Sequence, residues 1–310
     1  MTRAARTLLT GLIDYAGLFP PAGLSMDEAV ERYGVFCSGP QAWLLGRFVV
    51  PLDHLERFET ATTRILPRGA GAVPWPVSVL GSADPSRDVA RVHAFNDRHA
   101  GRADLGAAHI DVVEVKTARL ADITRARPFV AAGLTCFCEV PIDDQLEALV
   151  NAARAAGAGV KVRTGGVVLD AFPSSAALAH VIVTCAAGRA RMKATAGLHH
   201  AVRGPHRLTY DAESTTTITP GFLNLFLAAA FAWDAISRGH DPQQIREDVE
   251  RILDLDDPRL LVVDDQRVAW ADAVALRVDR IELARRRFAV AFGSCSFEEP
   301  IEELQALGWI

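Results

Sequence analysis

Residues 157–166, "GAGVKVRTGG", and residues 189–200, "RARMKATAGLHH", decide how this chain is read. In each, a short apolar run carries one lysine and ends on glycine. A lysine among apolar residues is costly unless its charge is paired or put to use. Side chains alternate along a strand, so Lys161 shares a face with Arg163, and Lys193 shares one with Arg191 and Thr195. The opposite faces carry Val160, Val162, Met192 and Ala194, which suit packing against helices. Both lysines are therefore predicted to point away from the helices, on neighbouring strands.

The rest of the chain alternates in the same way. "AWLLGRFVVP" (42–51) precedes the helix-like "LDHLERFETATTRIL" (52–66), and "PWPVSVLG" (74–81) precedes "PSRDVARVHAFNDRHA" (85–100). "HIDVVEVK" (109–116) precedes "TARLADITRAR" (117–127), and "GLTCFCEVP" (133–141) precedes "DDQLEALVNAARAAG" (143–157). Strands alternating with helices imply right-handed βαβ units and a parallel sheet. Counting "LIDYAGLF" (12–19) as the first strand gives seven by Lys193. "RRRFAVAFGSCS" (285–296) is an eighth, followed by the helical "EEPIEELQALGW" (298–309). Eight such units in 310 residues predict one α/β domain over residues 1–310, a TIM (β/α)8 barrel. The rival is a doubly wound open sheet. It usually shows a G-x-G-x-x-G turn after its first strand, and "DYAGLFPPAG" (14–23) is not one.

Ser25 with Glu28 forms a capping box before "MDEAVERYGVF" (26–36). Two segments break the rhythm. Residues 201–219 read as a long polar loop, of the kind that serves as a lid or binding loop. Residues 220–287 read as a mostly helical insertion between strands seven and eight. Within it "RLLVVDDQRVAW" (259–270) forms two short strands around a turn at Asp264–Asp265.

Net charge is −5, which argues against a general nucleic-acid binder, since such a protein normally carries a basic face. The apolar run "GFLNLFLAAAFAW" (221–233) contains an asparagine and is too short to span a bilayer. "MTRAARTLLTGLIDYAG" lacks the pattern of a signal peptide. Cys37, Cys136, Cys138, Cys185 and Cys295 form no framework, which points to reduced thiols, most of them small buried hydrophobes, in a cytoplasmic protein. Neither nucleic acid nor membrane is expected as a partner.

In a barrel of this kind the active site lies at the C-terminal ends of the strands. Two desolvated, neighbouring lysines depress one another's pKa, and a neutral amine condenses with a carbonyl to a Schiff base. The alternative is that each lysine sits in a buried ion pair with a carboxylate such as Asp111 or Glu139. Asp14 and Asp111 stand in otherwise apolar strands and could move protons or hold a lysine; Asp14 could equally cap its own loop. Glu139 ends strand five. Glu114 and Lys116 have the parity opposite to Asp111 and read as facing the helical layer or the strand exit.

Taken in order, these motifs resemble the class I aldolases of the deoxyribose-phosphate aldolase family. "KVRTGG" (161–166) is similar to that family's strand-six lysine and turn, and "KATAG" (193–197) to its strand-seven lysine run. "HIDVVEV", "LIDYAGL", "GRFVVPL" and "CFCEVP" resemble its strand-four, opening, strand-two and strand-five segments. The likeness covers about residues 10–200 and 288–310. It implies that Lys161 forms the Schiff base, Lys193 perturbs it and relays protons, and Asp111 is the acid–base carboxylate, with Asp14 beside them. Expected substrate-binding residues are Arg163, Thr164, Gly165 and Gly166 after the first lysine and Thr195, Gly197 and His199 after the second. Glu139, Gly293, Ser294 and Ser296 complete that set, with backbone N–H groups near Gly197 and strand eight suited to phosphate. The chain departs from the family at Arg163, where a small hydroxyl residue is usual, at Ala196–Gly197, which replaces Gly-Gly, at His199–His200, and in residues 220–287.

The expectation is a lyase acting on a small carbonyl substrate, phosphorylated or not, without cofactor or metal. Two other readings compete. In one, His199, His200 and His206 with Glu139 or Asp111 hold zinc or another divalent ion in a metal-dependent lyase or hydrolase. In the other, the barrel is non-catalytic and acts in assembly. "GFLNLFLAAAFAWDAI" (221–236) is more apolar than a one-faced helix requires, which would suit a homo-oligomer.

Overall fold

Eight parallel strands close into a barrel in the computed structural model of the chain, which describes residues 1–100 and 105–310. The strands are β1 (Ile13–Tyr15), β2 (Leu45–Pro51), β3 (Trp75–Leu80), β4 (Ala108–Lys116), β5 (Thr135–Glu139), β6 (Gly159–Arg163), β7 (Met192–Thr195) and β8 (Ala289–Ser294). Each pairs with its neighbour in the sequence, and β8 returns to β1. This is the TIM barrel that the alternation predicts, and the open-sheet rival is set aside.

Residue chemistry explains the layers. Val160 and Val162 of β6 are fully buried, while Lys161 between them faces the barrel interior. On the other side of the ring, Tyr15 of β1 and Phe48 of β2 pack with Tyr33 of the helix Met26–Ser38. That helix starts as its sequence dictates: Ser25 Oγ accepts from Glu28 N, and Glu28 accepts from Ser25 N at 3.0 Å.

Register shifts by one residue between β3 and β4. Val77 opposes Ile110 and Ser78 opposes Val112, so Asp111 is the extra residue of a bulge. A bulge re-aims the side chains that follow it. Glu114 and Lys116 consequently line the cavity inside the barrel, not the helical layer as strict alternation from Asp111 suggests.

An N-terminal helix, Arg3–Leu9, precedes β1 and was not evident in the sequence; β1 itself is only three residues long. Residues 201–219 are more ordered than a polar loop. They form a two-stranded antiparallel ribbon, Gly204–Arg207 with Thr216–Thr219, whose tip hangs over the barrel mouth. In residues 220–287 the strands Leu261–Val263 and Arg267–Trp270 make the expected hairpin, and a third strand, Val274–Arg277, joins them. The flanking helices Phe222–Ser237 and Val278–Arg287 both pack on β8, so they belong to the outer layer of the barrel and do not form a separate helical insertion. Phe222 and Phe226 meet Phe292 of β8.

The all-round apolarity of Phe222–Ser237 is accounted for within one chain. Its faces are covered by β8 and by the helices Ser175–Ala187, Pro242–Leu253 and Val278–Arg287. A subunit interface is not needed to bury it. Among the described residues one stretch, Leu169–Ala187, is long and apolar enough by composition to cross a membrane. It is split between a short turn, Leu169–Ala171, and the barrel helix Ser175–Ala187, and core helices meet the same criterion.

Candidate functional site

Register brings the two lysines side by side. Lys161 of β6 pairs with Lys193 of β7, and Glu139 of β5 pairs with Lys161. The same inward face receives Glu114 from β4 and Asp14 from β1. Together they form one buried ionic network at the floor of a cavity of about 630 Å³.

Glu114 is its centre. One carboxylate oxygen, Oε2, accepts from Lys161 Nζ at 2.6 Å, and the other, Oε1, accepts from Lys193 Nζ. Ser78 Oγ of β3 also donates to Oε1, at 2.8 Å. Lys161 Nζ has a second partner in Glu139 Oε2 at 2.7 Å, and Lys193 Nζ has one in Asp14 Oδ2 at 2.6 Å. Three carboxylates thus face two ammonium groups. Burial pushes the Glu114 carboxyl up, but the two lysine charges outweigh it and hold the group well below the usual carboxylate range. For Lys193, burial pulls the amine down, yet Asp14 and Glu114 prevail and raise it above its ordinary value.

This geometry corrects the expectation that the lysines depress one another unopposed. A carboxylate lies between them, and each has two acidic partners. Asp111 is corrected as well: it takes Arg47 of β2 through two bonds, at 2.7 and 2.6 Å, and does not line the cavity. The bulge that turns Asp111 aside brings Glu114 to the lysines. Glu114 is the residue that parity reasoning missed; an acidic residue between valines in "VVEV" was its only signal.

Asp14 is fixed by the backbone around it. Its Oδ1 accepts from Arg47 N at 2.6 Å. A Cβ built on Gly46 would lie 2.1 Å from that same oxygen. Gly46→Ala is therefore expected to displace Asp14 from Lys193 and to destabilise the protein by roughly 1–3 kcal/mol, the usual cost of overpacking a tight core site. Denaturant unfolding of the variant checks this, and an unchanged midpoint contradicts it.

The turns after the lysines are built differently from one another. Thr164 is fully buried and its hydroxyl donates to the carbonyls of Thr195 and Ala196, which ties the ends of β6 and β7 together. Gly165 and Gly197 touch through their backbones: a Cβ on Gly197 would lie 2.7 Å from Gly165 Cα. Gly197 is left-handed, at φ +75°, and so is Ala196, at φ +63°, a conformation that costs a non-glycine residue energy. Gly166, Thr195, Gly197 and Gly293 line the cavity. Ser294 and Ser296 do not: Ser294 Oγ accepts from Ser296 N, and Ser296 Oγ accepts from Glu299 N at the start of the C-terminal helix Glu298–Ala306.

At the rim, Arg163 lies 4.0 Å from Glu139 and is largely exposed, with Lys116 and Arg207 also facing the cavity. Arg203 is engaged elsewhere, by Asp254 at 3.4 Å. The histidines do not assemble with Asp111 or Glu139. His199 Nδ1 bonds Glu299 at 2.7 Å and His200 Nδ1 bonds Glu303 at 2.5 Å. His200, His206 and Glu303 do offer donor atoms within 4.8 Å of one another. The rings of His200 and His206 are stacked, however, 3.3 Å apart and 9° from parallel. An ion in the plane of one ring lies out of the plane of the other, so shared ligation requires a ring to rotate.

No family model matches the chain, and no curated protein matches it. Solved structures that resemble it include two of low similarity. One is a FabK mutant from Thermotoga maritima, 14% identical over 65% of this chain and 58% of that one, with a TM-score of 0.37. The other is a nitroalkane oxidase from Streptomyces ansochromogenes, 16% identical over 64% of this chain and 62% of that one, with a TM-score of 0.30. The chain spans less than two thirds of either structure's length, and likenesses this slight carry no argument about its chemistry.

Proposed function

We propose that the protein is an aldolase-like lyase that forms a Schiff base between Lys161 and a small carbonyl substrate and makes or breaks a carbon–carbon bond. The observation that carries this reading is the bridging of two in-register lysines by Glu114 at the floor of a closed-sided cavity. Lys161 is the better nucleophile of the two by position. Its second partner, Glu139, borders the cavity, whereas Lys193 is held between Glu114 and the almost fully buried Asp14.

A free lysine at pKa about 10.4 is almost wholly protonated near neutrality, so the ammonium must give up a proton first. Glu139 Oε2, 2.7 Å away, is the acceptor within reach. The neutral amine adds to the carbonyl carbon. Glu139 then returns a proton to the carbinolamine hydroxyl, which leaves as water. The resulting iminium carries the same charge as the ammonium it replaces, so the pairing with Glu114 survives the step. That is how an acidic surrounding, which opposes a neutral lysine, can still favour the reaction. Electrons from the bond between the carbons α and β to the iminium flow into it to give an enamine. Glu139 or water takes the proton from the substrate's β-hydroxyl, which becomes a carbonyl as that bond breaks. Lys193 stays cationic and fixes Glu114.

Chelation and mutation together test this reading. Carbonyl-substrate turnover should persist in excess chelator and vanish in Lys161→Ala. The opposite pattern would transfer the chemistry to a metal at His200, His206 and Glu303.

An anionic group on the substrate would meet Arg163 at the rim, with Lys116 and Arg207 around it. Arg163→Ala is expected to raise KM roughly tenfold or more for phosphorylated or carboxylated substrates, the loss of one charge-assisted hydrogen bond. KM for neutral carbonyls should change little. Equal changes for both classes would show that Arg163 serves only Glu139.

A further inference from the structure

The mouth of the cavity holds a second reactive group that lysine chemistry does not use. Cys295 directly follows β8, and its Sγ lies 3.7 Å from His199 Nε2. His199 comes from the loop after β7. Its other nitrogen, Nδ1, bonds Glu299 Oε2 at 2.7 Å, and Glu299 sits in the first turn of the C-terminal helix. Thiol, imidazole and carboxylate therefore stand in line, contributed by three different elements, and all three line the cavity.

Each member is held in place. Ser296 Oγ accepts from Glu299 N and fixes the start of the helix against the end of β8. Tyr210, from the ribbon, donates to Glu299 Oε2 at 3.2 Å and approaches Cys295 Sγ at 3.8 Å. Burial, then Cys295 and Glu299, hold the Tyr210 phenol in its neutral form. The neighbouring His200 turns away to Glu303. The titratable groups facing His199 are thus Cys295, Glu299, Tyr210 and His200 with its partner Glu303. Burial pulls the His199 imidazole down, but Cys295 and Glu299 push it up to about 10. Buried Cys185, by contrast, is wholly enclosed and does not reach the cavity.

We propose that Cys295, His199 and Glu299 form a nucleophilic triad that accepts an acyl group from a small ester or thioester. The Cys295 sulfur attacks the acyl carbonyl carbon. The thiol proton moves to His199 Nε2 as sulfur attacks, and passes from there to the leaving alcohol or thiol as the carbon–leaving-group bond breaks. A thioester on Cys295 remains. Water, deprotonated by His199, cleaves it to a carboxylic acid, and the proton returns to the Cys295–His199 pair. Glu299 holds the imidazole with Nε2 toward sulfur. This activity stands apart from the lysine reading, because its bond forms at sulfur and its readouts do not involve Lys161.

The probes are 4-nitrophenyl acetate and iodoacetamide, with the modified residue identified by peptide mass. Nitrophenolate should appear in a burst with an acetyl group on Cys295, and Cys295→Ser should lose both while keeping the wild-type melting temperature. An ordinary thiol of pKa about 8.5 loses roughly seventyfold in alkylation rate between pH 8 and pH 6, whereas a thiolate paired with an imidazolium loses roughly twofold or less. Cys295 should follow the shallow profile in the wild type, and His199→Gln should restore the steep one and slow acetylation by roughly 10²–10⁴-fold. If His199→Gln fails to fold, the wild-type profile decides alone. Acetyl groups found only on lysines or Cys37, or a steep profile at wild-type Cys295, would overturn the proposal.

Discussion

Glu114→Leu is expected to destabilise the protein by roughly 3–5 kcal/mol, the cost of removing one partner from a buried charge network. Leucine leaves Lys161 with Glu139 alone and Lys193 with Asp14 alone, both ammonium groups remaining almost fully buried. It also leaves Ser78 Oγ without its acceptor. Glu114→Gln keeps the volume and offers one carbonyl oxygen where two carboxylate oxygens stood, so it should fold and still lose turnover by roughly 10²–10⁴-fold. The pH dependence follows from the sign of the shift. The folded-state pKa of Glu114 lies below its unfolded value. Its stabilisation is therefore complete above about pH 4.3 and is lost as the pH falls below that. The stability gap between wild type and Glu114→Gln should narrow on acidification through that range. Urea unfolding at a series of pH values measures it, and a gap independent of pH would show that Glu114 is not the charged centre of the network.

Lys161→Ala is expected to abolish turnover, by roughly 10⁴-fold or more, because the proposed covalent centre is removed. Lost activity alone would not separate chemistry from structure, since alanine also leaves Glu139 and one oxygen of Glu114 without their closest cation. Lys161→Arg makes the separation. A guanidinium keeps a cation between the two glutamates and cannot be deprotonated near neutrality. Stability should return toward wild type while turnover stays absent. An active Lys161→Arg enzyme would place the chemistry elsewhere.

Much of this architecture was legible in the residues. The strand–helix alternation dictates a barrel, and the matching parity of Lys161 and Lys193 dictates that they meet inside it. What could not be read was the bulge at Asp111. A bulge adds one residue to a strand without any composition signal, and it exchanges the inward and outward sets beyond it. Asp111 therefore looked like the inward carboxylate, and Glu114 like an outward one. The ribbon at Gly204–Thr219 was hidden for a related reason: its strands are four residues each, too short and polar for an alternating pattern to show. The pairing of Cys295 with His199 and Glu299 joins residues about a hundred positions apart, which no local spacing reveals.

The central claim is that Lys161, and not Lys193, forms a covalent bond with a carbonyl. Borohydride reduction in the presence of a panel of small aldehydes and ketones, followed by peptide mass mapping, tests it most directly. A reduced adduct on the peptide carrying Lys161, absent from Lys161→Arg and shifted to a more alkaline optimum in Lys193→Met, is the predicted result. An adduct confined to Lys193 or to exposed lysines, or turnover of a carbonyl substrate with no adduct at all, would contradict it.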